Sequence, residues 1–245
     1  MSCPLLWQGM GAKRPHMSAR RHAILKFVGK IVVAALVAVL AVILLYRFVN
    51  PPYSTLMVAN ALAGRTLKHR WVSLDKISPH LVSAVVTSED GRFCSHRGVD
   101  WTEVEDALER AEKRGDGPRG ASTIPMQTVK NLFLWQSRSY IRKGIEIPLV
   151  YIASAIWPKR RMLEIYLNIA EWGPGVFGAQ AAARHHFRSH ASKLTRRQSA
   201  QLAAALPNPY VRNAGRPGPK TRALARRIEN RIARAGAPLD CIYPK

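Results

Sequence analysis

The chain is poor in cysteine, with three in 245 residues, and poor in acid, with 15 Asp plus Glu against 38 Lys plus Arg. No C-x-x-C pair and no clustered Cys/His spacing occurs, which argues against a structural zinc site. Cys3 precedes a long apolar run, so Cys94 and Cys241 are the only pair that could bond in an oxidising compartment; their separation neither requires nor forbids it. Taken alone, Cys94 reads as a small packing residue, since no preorganised base can be named that would make it a nucleophile. Alternating runs long enough for strands are missing, and so are repeats and low-complexity blocks. This excludes a sheet-built or modular chain and leaves one compact domain as the simplest count. The scarcity of acid leaves a net charge of +23, which nucleic acid, anionic headgroups or a phosphate-bearing substrate could balance. A nucleic-acid binder would interleave aromatics with its basic residues, yet Tyr210 and Tyr243 are the only aromatics after Phe187.

What is present begins with that apolar run. Ile31 to Tyr46 is unbroken, and with Phe27, Val28, Phe48 and Val49 around Lys30 and Arg47 it approaches the roughly 20 residues a bilayer needs. Residues 27–49 therefore read as a transmembrane anchor. Lys13, Arg14, Arg20, Arg21, Lys26 and Lys30 come first, which makes residues 1–26 a basic cytoplasmic tail and puts 50–245 on the outer side. A cleavable signal is the alternative. Its apolar core would span only about 7–15 residues, and the nearest A-x-A site, Ala59-Asn-Ala61, lies far beyond Tyr46.

The outer portion reads as mainly helical. Ser78-Pro79 supplies an N-cap and a first-turn proline for Leu81 to Val86, a segment that carries Glu89 and Asp90 to its end before Gly91. Thr102-x-x-Glu105 and Thr195-x-x-Gln198 have the capping-box pattern. Ile141, Ile145, Leu149, Ile152 and Ile156 step by three or four, which predicts a helix with a kink at Pro148. Further helices are expected from Pro158 toward Gly173, over Val176 to Phe187, over Gln201 to Leu206, and through Leu224, Ile228 and Ile232. Lys113 to Ala121 is expected to be a flexible loop.

Two polar runs stand out against this apolar scaffold: Glu89-Asp90-x-x-Phe93-x-x-His96-x-Gly98 and Gly120-Ala-Ser122-Thr123-x-x-x-Gln127-x-x-Lys130-Asn131. A carboxylate at a helix C-terminus meets the negative end of the dipole and, with partial burial, moves toward the range of a general base; Glu89 fits, with Asp90 adjacent. In the second run, Ser122 and Thr123 offer hydroxyls at a helix start, with Gln127 and Lys130 following on one face, an arrangement suited to a phosphate or sugar. It is not a Walker loop, because Ala121 stands where the phosphate-binding lysine would be. Arg142-Lys143-x-x-Glu146 adds two cations and a carboxylate one turn apart, readable as part of a site or as intrahelical salt bridges.

These runs, with K-x-x-x-LE-x-YLN (Lys159 to Asn168) and G-x-x-AAA-x-x-x-F (Gly178 to Phe187), resemble the five ordered motifs of the peptidoglycan glycosyltransferases over roughly residues 75 to 210. Anchor plus single domain is similar to the monofunctional branch. The resemblance implies a lysozyme-like, mainly α domain dipped into the outer leaflet behind one transmembrane helix. It implies polymerisation of lipid II, an undecaprenyl-pyrophosphate-linked disaccharide pentapeptide, into β-1,4-linked glycan with inversion at the donor carbon. By motif position Glu89 would be the base for the acceptor 4-hydroxyl, and Glu146 the second catalytic acid, orienting donor groups or a metal. Lys130, Arg142 and Lys143 would meet the departing pyrophosphate, on which negative charge builds. Ser122, Thr123, Gln127 and Asn131 would line the donor site, and Asp90, Phe93 and His96 would also bind substrate. A divalent Mg or Mn is a possible cofactor. Implied partners are the growing glycan strand, membrane lipids and cell-wall synthesis proteins, with no nucleic acid, at the inner membrane.

The chain departs from the family pattern in places. Pro125 and Met126 stand where a polar residue and the first of two glutamines are usual, Gly91 where a side chain is usual, and His186 where tyrosine is usual before Phe187. Ser73-Leu-Asp-Lys76 matches the transpeptidase S-x-x-K, but no S-x-N or K-T-G accompanies it. A peptidoglycan hydrolase would share a glutamate on a helical scaffold with less use for the cations. An inactive membrane scaffold of wall synthesis is the other alternative.

Overall fold

The computed structural model describes residues 19–117, 120–137 and 139–243. The start of the basic tail, and Pro118 and Arg119 of the expected loop, lie outside them. The chain divides into two units, residues 1–44 and 45–245. In the first, helix α1 (Ala19–Tyr46, reaching two residues into the second unit) is long and apolar enough to cross a membrane, with a mean hydropathy of 2.9 in its most apolar window.

The second unit is helical, as the periodicity predicts. In chain order it comprises α2 (Thr55–Leu62), α3 (Pro79–Glu89), α4 (Trp101–Arg114), α5 (Ile124–Phe133), α6 (Tyr140–Ile156), α7 (Lys159–Ile169), α8 (Ala179–Phe187), α9 (Arg196–Ala205) and α10 (Pro219–Ala235). Ser78 caps α3 by accepting from the His80 N–H, and Thr195 with Gln198 closes a full capping box on α9. The expected box at Thr102 does not form. Asp100 caps α4, accepting from the Glu103 N–H at 3.1 Å, so the helix starts before Thr102 can act. That helix also absorbs Lys113 and Arg114 of the expected loop and ends at Gly115 in the left-handed region. α6 runs on through Pro148, which is exposed within it.

The second correction concerns strands. β1 (Lys68–His69), β2 (Glu171–Gly173) and β3 (Val176–Phe177) form a small sheet in the order β1-β3-β2, parallel then antiparallel. Two- and three-residue strands are too short to leave alternation in a sequence. α7 therefore stops at Ile169 rather than reaching Gly173, and Val176 and Phe177 are strand rather than helix. Gly178, at φ +83° and too close to the Asn168 carbonyl to carry a Cβ, turns the chain into α8.

α3 packs on α9 and α9 on α10, while α5 lies between α6 and α7. Leu81, Val82, Val85 and Val86 of α3 are fully buried. Each stabilises by about 1.5–3 kcal/mol relative to exposure, enough to hold the polar end of α3 in place. Cys94 and Cys241 are joined in a disulfide that spans 147 residues, which settles the pairing that sequence left open.

Candidate active site

Glu89 is the last residue of α3, and the chain turns there through Asp90 to Gly98. The turn is built inward. Asp90 is buried, its carboxylate held by His96 Nε2 at 2.9 and 3.1 Å and accepting from the Ile124 N–H at 2.9 Å. The Gly98 N–H donates to His96 Nδ1, so Nδ1 is the acceptor and Nε2 carries the proton to Asp90. Phe93 is fully buried under the Lys159 ammonium, which sits 4.4 Å from its ring centre and donates to the Phe93 and His96 carbonyls. Burial lowers the Lys159 pKa to about 8. Thr123 Oγ1 donates to the Gly98 carbonyl at 2.5 Å while capping α5. The two polar runs of the sequence are thus fastened together by Asp90 and Thr123, and the side chains of Asp90, Phe93 and His96 are turned into the protein.

Glu89 is half-buried and makes no ion pair among the described residues. Burial raises its pKa above the usual carboxylate value, against the hydrogen bond from Gln127 and the charge of Arg212, with a small addition from Asp90. Burial, which the sequence suggested together with the dipole, is the main cause, and the neighbouring acid adds least. Gln127 Nε2 donates to Glu89 Oε2 at 3.1 Å, and Gln127 Oε1 accepts from Tyr166 Oη at 3.0 Å. Because the hydroxyl donates to the amide oxygen, the amide nitrogen faces the carboxylate.

Gln127, Lys130, Asn131 and Tyr166 line a cavity of about 460 Å³ together with Arg65, Glu171 and Tyr210. Tyr210 donates to Glu171 at 2.8 Å. Lys130 is half-buried, and burial with the nearby charges of Arg142 and Lys143 lowers its pKa, against the pull of Glu146. Glu146 is buried and bonded to both Arg142 and Lys143, the latter at 2.8 Å. The intrahelical ion-pair reading of that trio therefore holds geometrically, and it brings both cations to the Lys130 side. Glu89 itself, with Ser122 and Thr123, lines a second cavity of about 290 Å³ together with Gly91, Asp106 and Arg231.

The transglycosylase family matches residues 56–234. The chain belongs to that family. It is accordingly a glycosyl-transferring enzyme with a lysozyme-like fold. It is 51% identical to a biosynthetic peptidoglycan transglycosylase of Rhizobium leguminosarum bv. trifolii over 96% of this chain and 100% of that protein. Proteins of the same description from Agrobacterium fabrum and Brucella suis are 52% and 49% identical, over 78% and 86% of this chain and 84% and 95% of theirs.

Within this transglycosylase the sequence departures fall away from the Lys130 cavity. Met126 is buried and Pro125 occupies the first turn of α5. His186 packs with Nε2 on the Trp172 carbonyl at 2.8 Å, accepts from the Gly215 N–H at Nδ1, and is held neutral by burial. The site residues not singled out from sequence are Tyr166, Lys159 and Arg212. The first two sit in the Lys159–Asn168 motif, which was the available signal. Arg212 belongs to none of the motifs that sequence reasoning picked out. Asp90, His96 and Asp100 are grouped at metal-ligand spacing, but Asp100 is held below the usual carboxylate range by Arg92 and also accepts from Glu103. With His96 spent on Asp90 and Gly98, and Glu146 on two cations, these donors do not fit a divalent ion.

Proposed function

We propose that this transglycosylase polymerises lipid II into β-1,4-linked peptidoglycan strands with inversion, releasing undecaprenyl pyrophosphate. The observation that carries this reading is the line Tyr166–Gln127–Glu89 beside Lys130: a carboxylate with raised proton affinity, oriented by one amide, with a cluster of cations on that amide's other flank. Glu89 takes the proton of the acceptor 4-hydroxyl as that oxygen attacks the donor anomeric carbon. The bond to the pyrophosphate breaks with its electron pair on the leaving oxygen, whose charge Lys130, Arg142 and Lys143 meet. Glu146 holds Arg142 and Lys143 in place for this. Ser122, Thr123, Gln127 and Asn131 contact donor groups.

A lipid-tailed substrate requires the site to work at a membrane. Residues 27–49 are proposed as the anchor, with the basic tail 1–26 in the cytoplasm and the catalytic domain 50–245 outside the inner membrane. The outward face of α6 supports contact with the leaflet: Tyr140 is 98% and Ile141 74% exposed, with Ile145, Tyr151 and Ile152 along the same helix.

The test is labelled lipid II given to detergent-solubilised wild type and Glu89→Gln, with products sized before and after muramidase. Muramidase-sensitive polymer from wild type and none from the variant is expected. A folded wild type that makes no polymer under any metal or detergent condition would overturn the reading.

A further inference from the structure

The cavity beside Glu89 has a wall that no motif supplies. Arg231, from the middle of α10, crosses to the end of α3, where its Nη1 donates to the Thr87 carbonyl at 3.2 Å. Its Nη2 lies 2.9 Å from where a Cβ on Gly91 would stand. The glycine that departs from the family pattern is what admits this guanidinium, which then lines the cavity with Glu89, Ser122 and Thr123. The other arginine there, Arg92, is spent on Asp100; Arg231 makes no ion pair among the described residues. Asp100 and Glu103 on the same cavity are neutralised by Arg92 and Arg110, which leaves Glu89 and Asp106 as its carboxylates without an ion pair among the described residues. A guanidinium pinned through one nitrogen, with its second at an open cavity, is built to receive an anionic oxygen.

We propose that Arg231 is a substrate-binding residue of the Ser122–Thr123 cavity, taking a phosphate or carboxylate oxygen of a lipid II molecule bound beside Glu89. The inference rests on the lipid II reading above. The test uses the full chain in detergent and measures both polymerisation kinetics and equilibrium binding of labelled lipid II, for wild type, Arg231→Gln, Arg231→Lys and Gly91→Ala. Arg231→Gln keeps a polar side chain but carries no charge and, two bonds shorter, gives up the contact to Thr87 as well. It is expected to raise KM and Kd about tenfold with kcat within about twofold, the loss of one charge-assisted hydrogen bond. Arg231→Lys recovers most of that. Gly91→Ala displaces only the flexible end of Arg231, so it reproduces the KM effect with an unchanged Tm and adds nothing to Arg231→Gln in the double variant. Wild-type KM and Kd in Arg231→Gln, or a loss confined to kcat with a lowered Tm, overturns the proposal and leaves Arg231 as a cap on α3. If wild type binds lipid II without polymerising it, the lipid II polymerase reading fails while the binding ratio still decides for or against Arg231. Repeating the comparison with stem-peptide carboxylates amidated names the ligand: a ratio that collapses identifies the carboxylate, and one that persists identifies the phosphate.

Discussion

Glu89 is held in a state that costs the fold stability. Its carboxyl, raised by burial above the ordinary 4.5, binds a proton more tightly folded than unfolded. Between 4.5 and the raised value, unfolding releases that proton, so stability falls as pH rises through this window and the cost persists above it. Glu89→Gln carries no charge to desolvate and keeps an oxygen for Gln127. It is expected to melt higher than wild type at pH 7 by roughly 2–4 °C, the gap closing below pH 4.5, while polymerisation is lost. Equal melting temperatures at pH 7 would show that burial is not what shifts Glu89. Tyr166 carries the companion prediction. In Tyr166→Phe the Gln127 amide loses the donor that fixes its orientation, and kcat is expected to drop about tenfold with KM nearly unchanged; a wild-type kcat would show that Gln127 orients itself. Glu89, Gln127 and Lys130 were legible in the sequence because each belongs to a contiguous run whose local geometry is helical. Tyr166 reaches Gln127, Arg212 acts on Glu89 through its charge, and Arg231 lines the same cavity, from three distant parts of the chain, and no local spacing encodes that convergence.

At the scale of elements, caps and apolar periodicity identified nearly every helix, because both are written within one or two turns of chain. The Thr102 box failed because Asp100 competes for the same helix start two residues earlier, and the three strands were missed because they are stabilised by long-range pairing rather than by their own pattern. The junction between the turn after α3 and helices α5 and α6 was equally invisible. Gly98 sits there at φ +115°, with Ser154 Oγ and Val150 Cγ1 each 2.8 Å from where a Cβ would lie. Gly98→Ala therefore adds backbone strain of about 1–3 kcal/mol and a similar amount for overpacking. It also pushes the Gly98 carbonyl off Thr123. A fall in Tm of at least about 5 °C is expected, with lost activity, since Thr123 and Asp90 fix α5 and thereby Gln127 against Glu89. A variant that melts like wild type would mean the turn is free to move away from α6.

The molecule as a whole is closed by its disulfide. Cys94 lies in the turn that follows Glu89 and Cys241 in the tail beyond α10, so the bond ties the segment after α10 to the turn that carries the site. A covalent loop of this length removes enough freedom from the unfolded chain to be worth about 2–5 kcal/mol. Such a bond persists only in an oxidising compartment, which agrees with the orientation proposed from the basic residues ahead of the anchor. The two arguments are independent, and one experiment joins them. Protein taken from native membranes, denatured without reductant and treated with a maleimide mass tag, is expected to take one tag, on Cys3; with reductant it takes three. Three tags without reductant would put the domain in a reducing compartment and sink both the bond and the orientation. The paired Cys94→Ala and Cys241→Ala variant is expected to melt roughly 5–15 °C lower. Its KM at low temperature should be unchanged, because Leu224 and Ile228 still pack α10 against Ala200 and Ala204 of α9 and so keep Arg231 over Gly91.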